Sequence, residues 1–219
     1  LPLHMAVLDD GWHNMNHQQL LCFAGGGFTW NETLFPSPSG FVDMLHNASA
    51  NPLRRSLPLL VNLHLQYPVT RCEKNWTAFL AADGKPADTP FVLTDLSSRR
   101  FTDALFDTLV NPIGADDYWM DSALFAAGTG EEDPATWQNI VFARRRLTAG
   151  QRPLALSRYG ALGIGSHRAG IMFSGDAFQT WETLGYEIYS TPLHANSLVG
   201  YLSHDIGGFH AFNGSGDGN

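Results

Sequence analysis

An α/β fold with a parallel sheet, a (β/α)8 barrel of the TIM type, is the architecture this sequence predicts. Three observations lead there. Short apolar runs alternate with stretches of helical character, which implies strands joined by crossover helices. Several of the runs end in polar, chemically capable residues, as a barrel with its site on the C-terminal strand face requires. The alternation also continues along most of the 219 residues, a length ample for a hydrophobic core.

Taken in order, Ala6-Val7-Leu8 is a short buried strand running into Asp9 and Asp10. Leu59 to His64 is a second, turning polar at its end, and Tyr118-Trp119-Met120-Asp121 is a third. Pro153 to Arg158, Gly170 to Phe173 and Gly200 to Ser203 complete six. The helical stretches between them are Gly40 to Ala50, Arg99 to Val110, Thr136 to Ala149 and Ala177 to Ile188. Six strands fall short of eight, and about 250 residues is typical of this barrel. Residues 1–212 therefore read as the middle strands and helices of a longer catalytic barrel. The Gly-, aromatic- and Pro-rich stretch near 22–38 reads as a loop insertion over the site, and 213–219 as a flexible tail or a continuation.

Composition narrows the functional classes. A formal charge of −8, from 13 basic and 21 acidic residues, argues against general nucleic-acid binding. Arg144-Arg145-Arg146 reads as a solvated helix face. No apolar run approaches the roughly 20 residues that cross a bilayer. Cys22 and Cys72 are too few for a disulfide scaffold; they either pair in an oxidising compartment or remain buried thiols. Sequons at Asn31, Asn47, Asn75 and Asn213 tilt the expectation towards a secreted or lumenal protein. His13 and His17 have the four-residue spacing of a zinc helix, but Asn14 stands where such a motif carries Glu, so no metal site is expected. Gly160, Gly163 and Gly165 do not match a nucleotide-binding loop, and no serine-hydrolase elbow occurs.

The stretch Ser157 to Phe209 is the richest in chemistry. Arg158, His167, Arg168, Asp176 and Asp205 punctuate apolar runs, with aromatics close by. Carboxylates, a cationic clamp and aromatic platforms together suit a sugar-cleaving site. Leu156-Ser157-Arg158-Tyr159-Gly160, His167-Arg168, Phe173-Ser174-Gly175-Asp176 and Ser203-His204-Asp205-Ile206-Gly207-Gly208 resemble glycoside hydrolase family 31, the α-glucosidase and α-xylosidase family. Tyr118-Trp119-Met120-Asp121 is similar to the segment that carries that family's nucleophile. Leu8-Asp9-Asp10-Gly11-Trp12-His13, with Phe28-Thr29-Trp30-Asn31 and Leu34-Phe35-Pro36 after it, resembles its earlier strand-end motif and loop. These motifs fall in the family's order along nearly the whole chain.

The resemblance implies a retaining α-glycosidase with Asp121 as nucleophile and Asp176 as acid/base, acting on an oligosaccharide or glycoside without a cofactor. Each Asp has a plainer reading as a helix cap. Phe173 and Phe178 would supply Asp176 with an apolar surround. Arg158 is expected beside the carboxylates, as a sugar clamp or a structural ion pair. Asp205 belongs either at the sugar subsite or in an ion pair with an arginine. Asp9 and Asp10 are substrate-binding candidates. Trp119 and Phe173 are platform candidates, ahead of Trp12 and Trp30. Flanking β-domains of a longer chain are also implied. The pattern departs from the family at Gly11, where an Asp is usual, and at Ser122-Ala123-Leu124-Phe125, where many members carry Glu. Those departures sustain a rival reading, a barrel without turnover that serves carbohydrate binding or assembly.

Overall fold

A computed structural model describes residues 3–14, 26–121, 134–158, 168 and 170–211. Its centre is a six-stranded parallel sheet: β1 (Ala6–Leu8), β2 (Leu59–Leu63), β5 (Asp117–Met120), β6 (Ala155–Arg158), β7 (Gly170–Phe173) and β8 (Leu202–Ser203), paired in that order. A separate antiparallel pair, β3 (Val69–Thr70) with β4 (Phe91–Val92), lies in the connection after β2. Each strand of the large sheet pairs with the next one in sequence order within it, which is the winding of a barrel wall. All six strands expected from the sequence are present and parallel.

Two-residue periodicity divides the sheet into faces. Leu59, Val61 and Leu63 of β2, Tyr118 and Met120 of β5, and Ala155 of β6 join the hydrophobic core. The alternate residues Asn62, Trp119 and Leu156 are in register across the same three strands and point the other way, towards the site. A continuous run such as Leu59-Leu60-Val61 carries apolar side chains on both faces, as parallel strands do.

The helices cover the core face. α1 (Pro38–His46) starts with Pro at its first turn, where the missing N–H costs nothing. α2 (Trp76–Asp83) ends on Gly84, whose φ of 68° is open to glycine. The sequence reading missed this helix. α3 (Arg99–Leu105) is capped by Ser98, whose hydroxyl accepts from Phe101 N–H, and continues as one wide turn over Phe106–Val110. α4 (Pro134–Thr148) sets Phe142 edge-on against Tyr118, 5.6 Å between centroids. Phe79 of α2 meets Phe101 of α3 in the same manner, at 5.8 Å.

Two expectations are corrected. Arg145 and Arg146 are not simply a solvated face. Arg145 donates to the Asp103 carbonyl and to Asp107, tying α4 to the α3 region, and Arg146 pairs with Asp117 at 2.9 Å. The last helix, α5 (Trp181–Asn196), starts four residues after the expected Ala177 because Thr180 caps it, its hydroxyl accepting from Thr183 N–H. Residues 177–180 instead lie as a loop beside 208–210, with Phe209 and His210 N–H donating to the Ala177 carbonyl.

Two outcomes test this packing. Phe142→Ala should cost about 3–5 kcal/mol in denaturant unfolding, since the ring is fully buried. Burial pushes the Asp117 carboxyl up to about 6 despite Arg146, against an ordinary 3.8. Its neutral form is thus favoured in the fold, so its contribution is complete below about pH 4 and lost as pH rises through about 6. Unfolding free energies of wild type and Asp117→Asn between those values should show the decline in the wild type and a flatter profile in the variant.

Candidate active site

Every strand of the large sheet delivers a polar residue at or just beyond its C-terminal end. Asp9 and Asp10 follow β1, His64 follows β2, Asp121 follows β5, and Arg158 closes β6. Ser174-Gly175-Asp176 follows β7, and Asp205 lies just past β8. The sequence thus spreads these residues over nearly 200 positions, and the parallel winding gathers them on one rim.

Arg158 is the hub. Its Nε donates to Asp121 Oδ1 and its Nη2 to Asp176 Oδ1, the latter at 2.5 Å. Arg158 and Asp121 are both buried, while the Asp176 side chain is 34% exposed. Two hydrogen bonds to one guanidinium fork make the two carboxylates immediate neighbours. The Phe173 ring lies under the same guanidinium, 5.0 Å from Cζ to centroid, and meets Trp119 edge-on at 4.9 Å. Trp119 is half-buried beside Asp121, whereas Trp12 and Trp30 lie in the core, 5.1 Å apart.

Asp121 is held on its other oxygen by a residue the sequence reading passed over. Asn62 Nδ2 donates to Asp121 Oδ2 and to Asp9 Oδ1, both at 2.9 Å, joining three neighbouring strand ends. Asn62 is buried, and its carbonyl accepts from the Trp12 indole at 2.8 Å. The available signal was an asparagine inside an otherwise apolar strand, where a polar side chain needs a partner. His64 stands on the same side, its Nε2 3.5 Å from Asp121 Oδ2.

Among the described residues neither candidate carboxylate caps a helix. Asp121 is engaged by side chains, and α5 is capped by Thr180. Gly175 has φ 93°, so the turn that presents Asp176 is one a side chain would strain. A Cβ on Gly208 would meet the Gln179 backbone N at 2.8 Å, so the 207–210 turn fits against the Asp176 loop only with glycine there. The apolar surround expected for Asp176 is only half present: Phe178 is 58% exposed and leans on His210, whose Nε2 lies 3.7 Å from Asp176 Oδ2. Asp205 makes no ion pair with arginine among the described residues. Burial, helped by the Asp176 charge, pushes its carboxyl up. Asp10 turns towards His13, 3.0 Å away, and that contact holds its carboxyl below the usual range. Arg168 is exposed.

One edge of the rim is tied down by Glu73, which accepts from Phe28 N–H at 3.1 Å and Thr29 hydroxyl at 2.7 Å. Its neighbour Cys72 is disulfide-bonded. Cys22, the other cysteine, lies outside the described residues, as do His17, Ser122–Phe125, His167 and Asn213. Of the remaining sequons, Asn31 is half-buried with its carbonyl oxygen accepting from Thr33 N–H, Asn47 is exposed, and the Asn75 amide donates to the Thr108 carbonyl.

A parallel βα wall with two carboxylates forked onto one arginine at the strand C-termini defines a (β/α)-barrel with a paired-carboxylate site. The whole of 1–217 matches the model of the glycosyl hydrolases family 31 TIM-barrel domain, and the chain belongs to that family. Among solved structures it is similar to a xylosidase from Aspergillus niger, at 16% identity and a TM-score of 0.60. It is also similar to the GH31 alpha-xylosidase from Xanthomonas citri, at 17% identity and a TM-score of 0.64. Each alignment covers 97% of this chain, but only 34% of the first protein's chain and 26% of the second's. No curated protein gives a significant match.

Removing the hub leaves two neighbouring carboxylates without their cation. Arg158→Ala should lower stability by about 2–4 kcal/mol near neutral pH, below a fully buried pair because Asp176 is partly exposed. Paired denaturation curves of wild type and variant near neutral pH will show the deficit.

Proposed function

We propose that this barrel is the catalytic domain of a retaining α-glycoside hydrolase acting on α-linked glucosides or xylosides. The observation that carries this reading is that Asp121 and Asp176 share one guanidinium, which makes them neighbours, as the two carboxyl groups of a retaining mechanism must be. Asp121 is the nucleophile. It is buried, its Oδ2 is held by Asn62 and its Oδ1 by Arg158, so the carboxylate is fixed before substrate arrives. Asp176, on a glycine turn at the solvent edge, is the acid/base.

The steps follow from those positions. An entering glycoside excludes water from Asp176, which then holds a proton and is freed from Arg158. Asp121 attacks the anomeric carbon while Asp176 gives its proton to the departing glycosidic oxygen. The resulting ester is neutral at Asp121, so the Arg158 charge is then shared by Asp176 alone. That favours the ionised base form of Asp176, which deprotonates the attacking water in the second step. Trp119 and Phe173 present apolar surface for a sugar face, and Asp9, Asp10 and Asp205 supply acceptors for hydroxyls. The xylosidase titles of the structural neighbours make a xyloside the first alternative to a glucoside. We place the protein in the secretory pathway, a reading supported by the disulfide at Cys72 and the surface sequons.

The test is hydrolysis of aryl α-glycosides by the full-length protein and two variants. Asp121→Asn should lose at least about 1,000-fold in kcat on every leaving group. Asp176→Ala should lose far more on poor leaving groups than on nitrophenolate, which departs without a proton. Folded wild-type protein inert on every glycone, while still binding sugar, would establish the rival binding-only barrel instead.

A further inference from the structure

The imidazole of His64 is a half-buried ring at the site that the proposed mechanism leaves unemployed. Its side chain is 15% exposed, and it leans on Tyr67, 6.0 Å between centroids. Neither Nδ1 nor Nε2 has a hydrogen-bond partner among the described residues. A neutral imidazole offers one donor and one acceptor, and a buried polar atom left unpaired costs about 1–3 kcal/mol. The nearest acceptor, Asp121 Oδ2, lies 3.5 Å from Nε2 and already accepts from Asn62. Thus His64 stands beside Asp121 with hydrogen-bonding capacity unused among the described residues.

A strand end explains why it is held there. His64 follows the last residue of β2, two positions after Asn62, so alternation puts both on the site face. Asn62 spends its amide on protein carboxylates, whereas neither ring nitrogen of His64 makes a hydrogen bond among the described residues. A sugar hydroxyl, which donates and accepts at once, is a ligand that satisfies such a nitrogen next to an anomeric carbon attacked by Asp121.

We infer that His64 is a specificity-determining residue that hydrogen-bonds one hydroxyl of the glycone seated against Asp121. This rests on the glycosidase reading above. A site built to pair with a hydroxyl discriminates strongly against a sugar lacking it, because its own polar group is then left unpaired.

The experiment compares full-length wild type, His64→Gln and His64→Leu on the best aryl α-glycoside and its monodeoxy analogues. Both variants should lose roughly 10–150-fold in kcat/KM on the parent sugar. On one analogue, the one lacking the partner hydroxyl, wild type and variants should be nearly equal, the non-additivity that marks a direct contact. Equal losses on every analogue would overturn the inference, leaving His64 as a support for Asp121, and the glycosidase reading would stand. Should His64→Leu fail to fold, His64→Gln carries the comparison. A second readout is the imidazole NMR signal missing from that variant, followed in wild type during titration with 1-deoxynojirimycin: it should shift at saturation, and an unmoved signal with bound inhibitor overturns the contact. Folded wild type that neither turns over a glycoside nor binds the inhibitor sinks both readings.

Discussion

The contact on which the site depends is the fork of Arg158 between Asp121 and Asp176. Two carboxylates this close repel, and one of them is buried, so each needs compensation to stay ionised. A planar guanidinium meets that need with fixed geometry, which a flexible ammonium would not. Arg158 is placed by its strand: β6 pairs with β5, which ends at Asp121, and with β7, which leads to Asp176. Charge compensation and strand order are therefore one constraint, and the sheet is registered where the charges meet.

A second layer of support stands behind Asp121. Asn62 links it to Asp9, and Trp12 holds the Asn62 carbonyl from the core. The helix side supplies rigidity through interlocked aromatics such as Phe142 on Tyr118 and Phe79 on Phe101. Because core and site occupy opposite faces of the same strands, a rigid core fixes the side chains of the site directly. Asp176 is different. It sits on a glycine turn at the rim, matched to the 207–210 turn, so its position depends on the fit of two loops rather than on the core.

The strands were legible because each is a short apolar run broken by polar residues, and all six appear where the pattern placed them. The resemblance to family 31 also rested on contiguous motifs, so Asp121, Arg158, Asp176 and Asp205 were visible as short strings. α2 was missed because Trp76–Asp83 is a brief stretch without a clear polar face, stabilised by Phe79 meeting Phe101 from another helix. The start of α5 was misplaced because Thr180 outcompetes the earlier residues as a cap, a local choice made once 177–180 is drawn against 208–210.

By itself the sequence determined the strand–helix alternation, the two-faced strands and the family, since these follow from local periodicity and contiguous motifs. Only the tertiary structure decided who serves them. That Arg158 bridges both acids, that Asn62 ties three strand ends, that Asp10 turns to His13 and that His64 comes within 3.5 Å of Asp121 are contacts between residues mostly distant in the chain. Such pairings depend on strand register and on which side chain reaches a charge first, quantities that exist only once the sheet has formed.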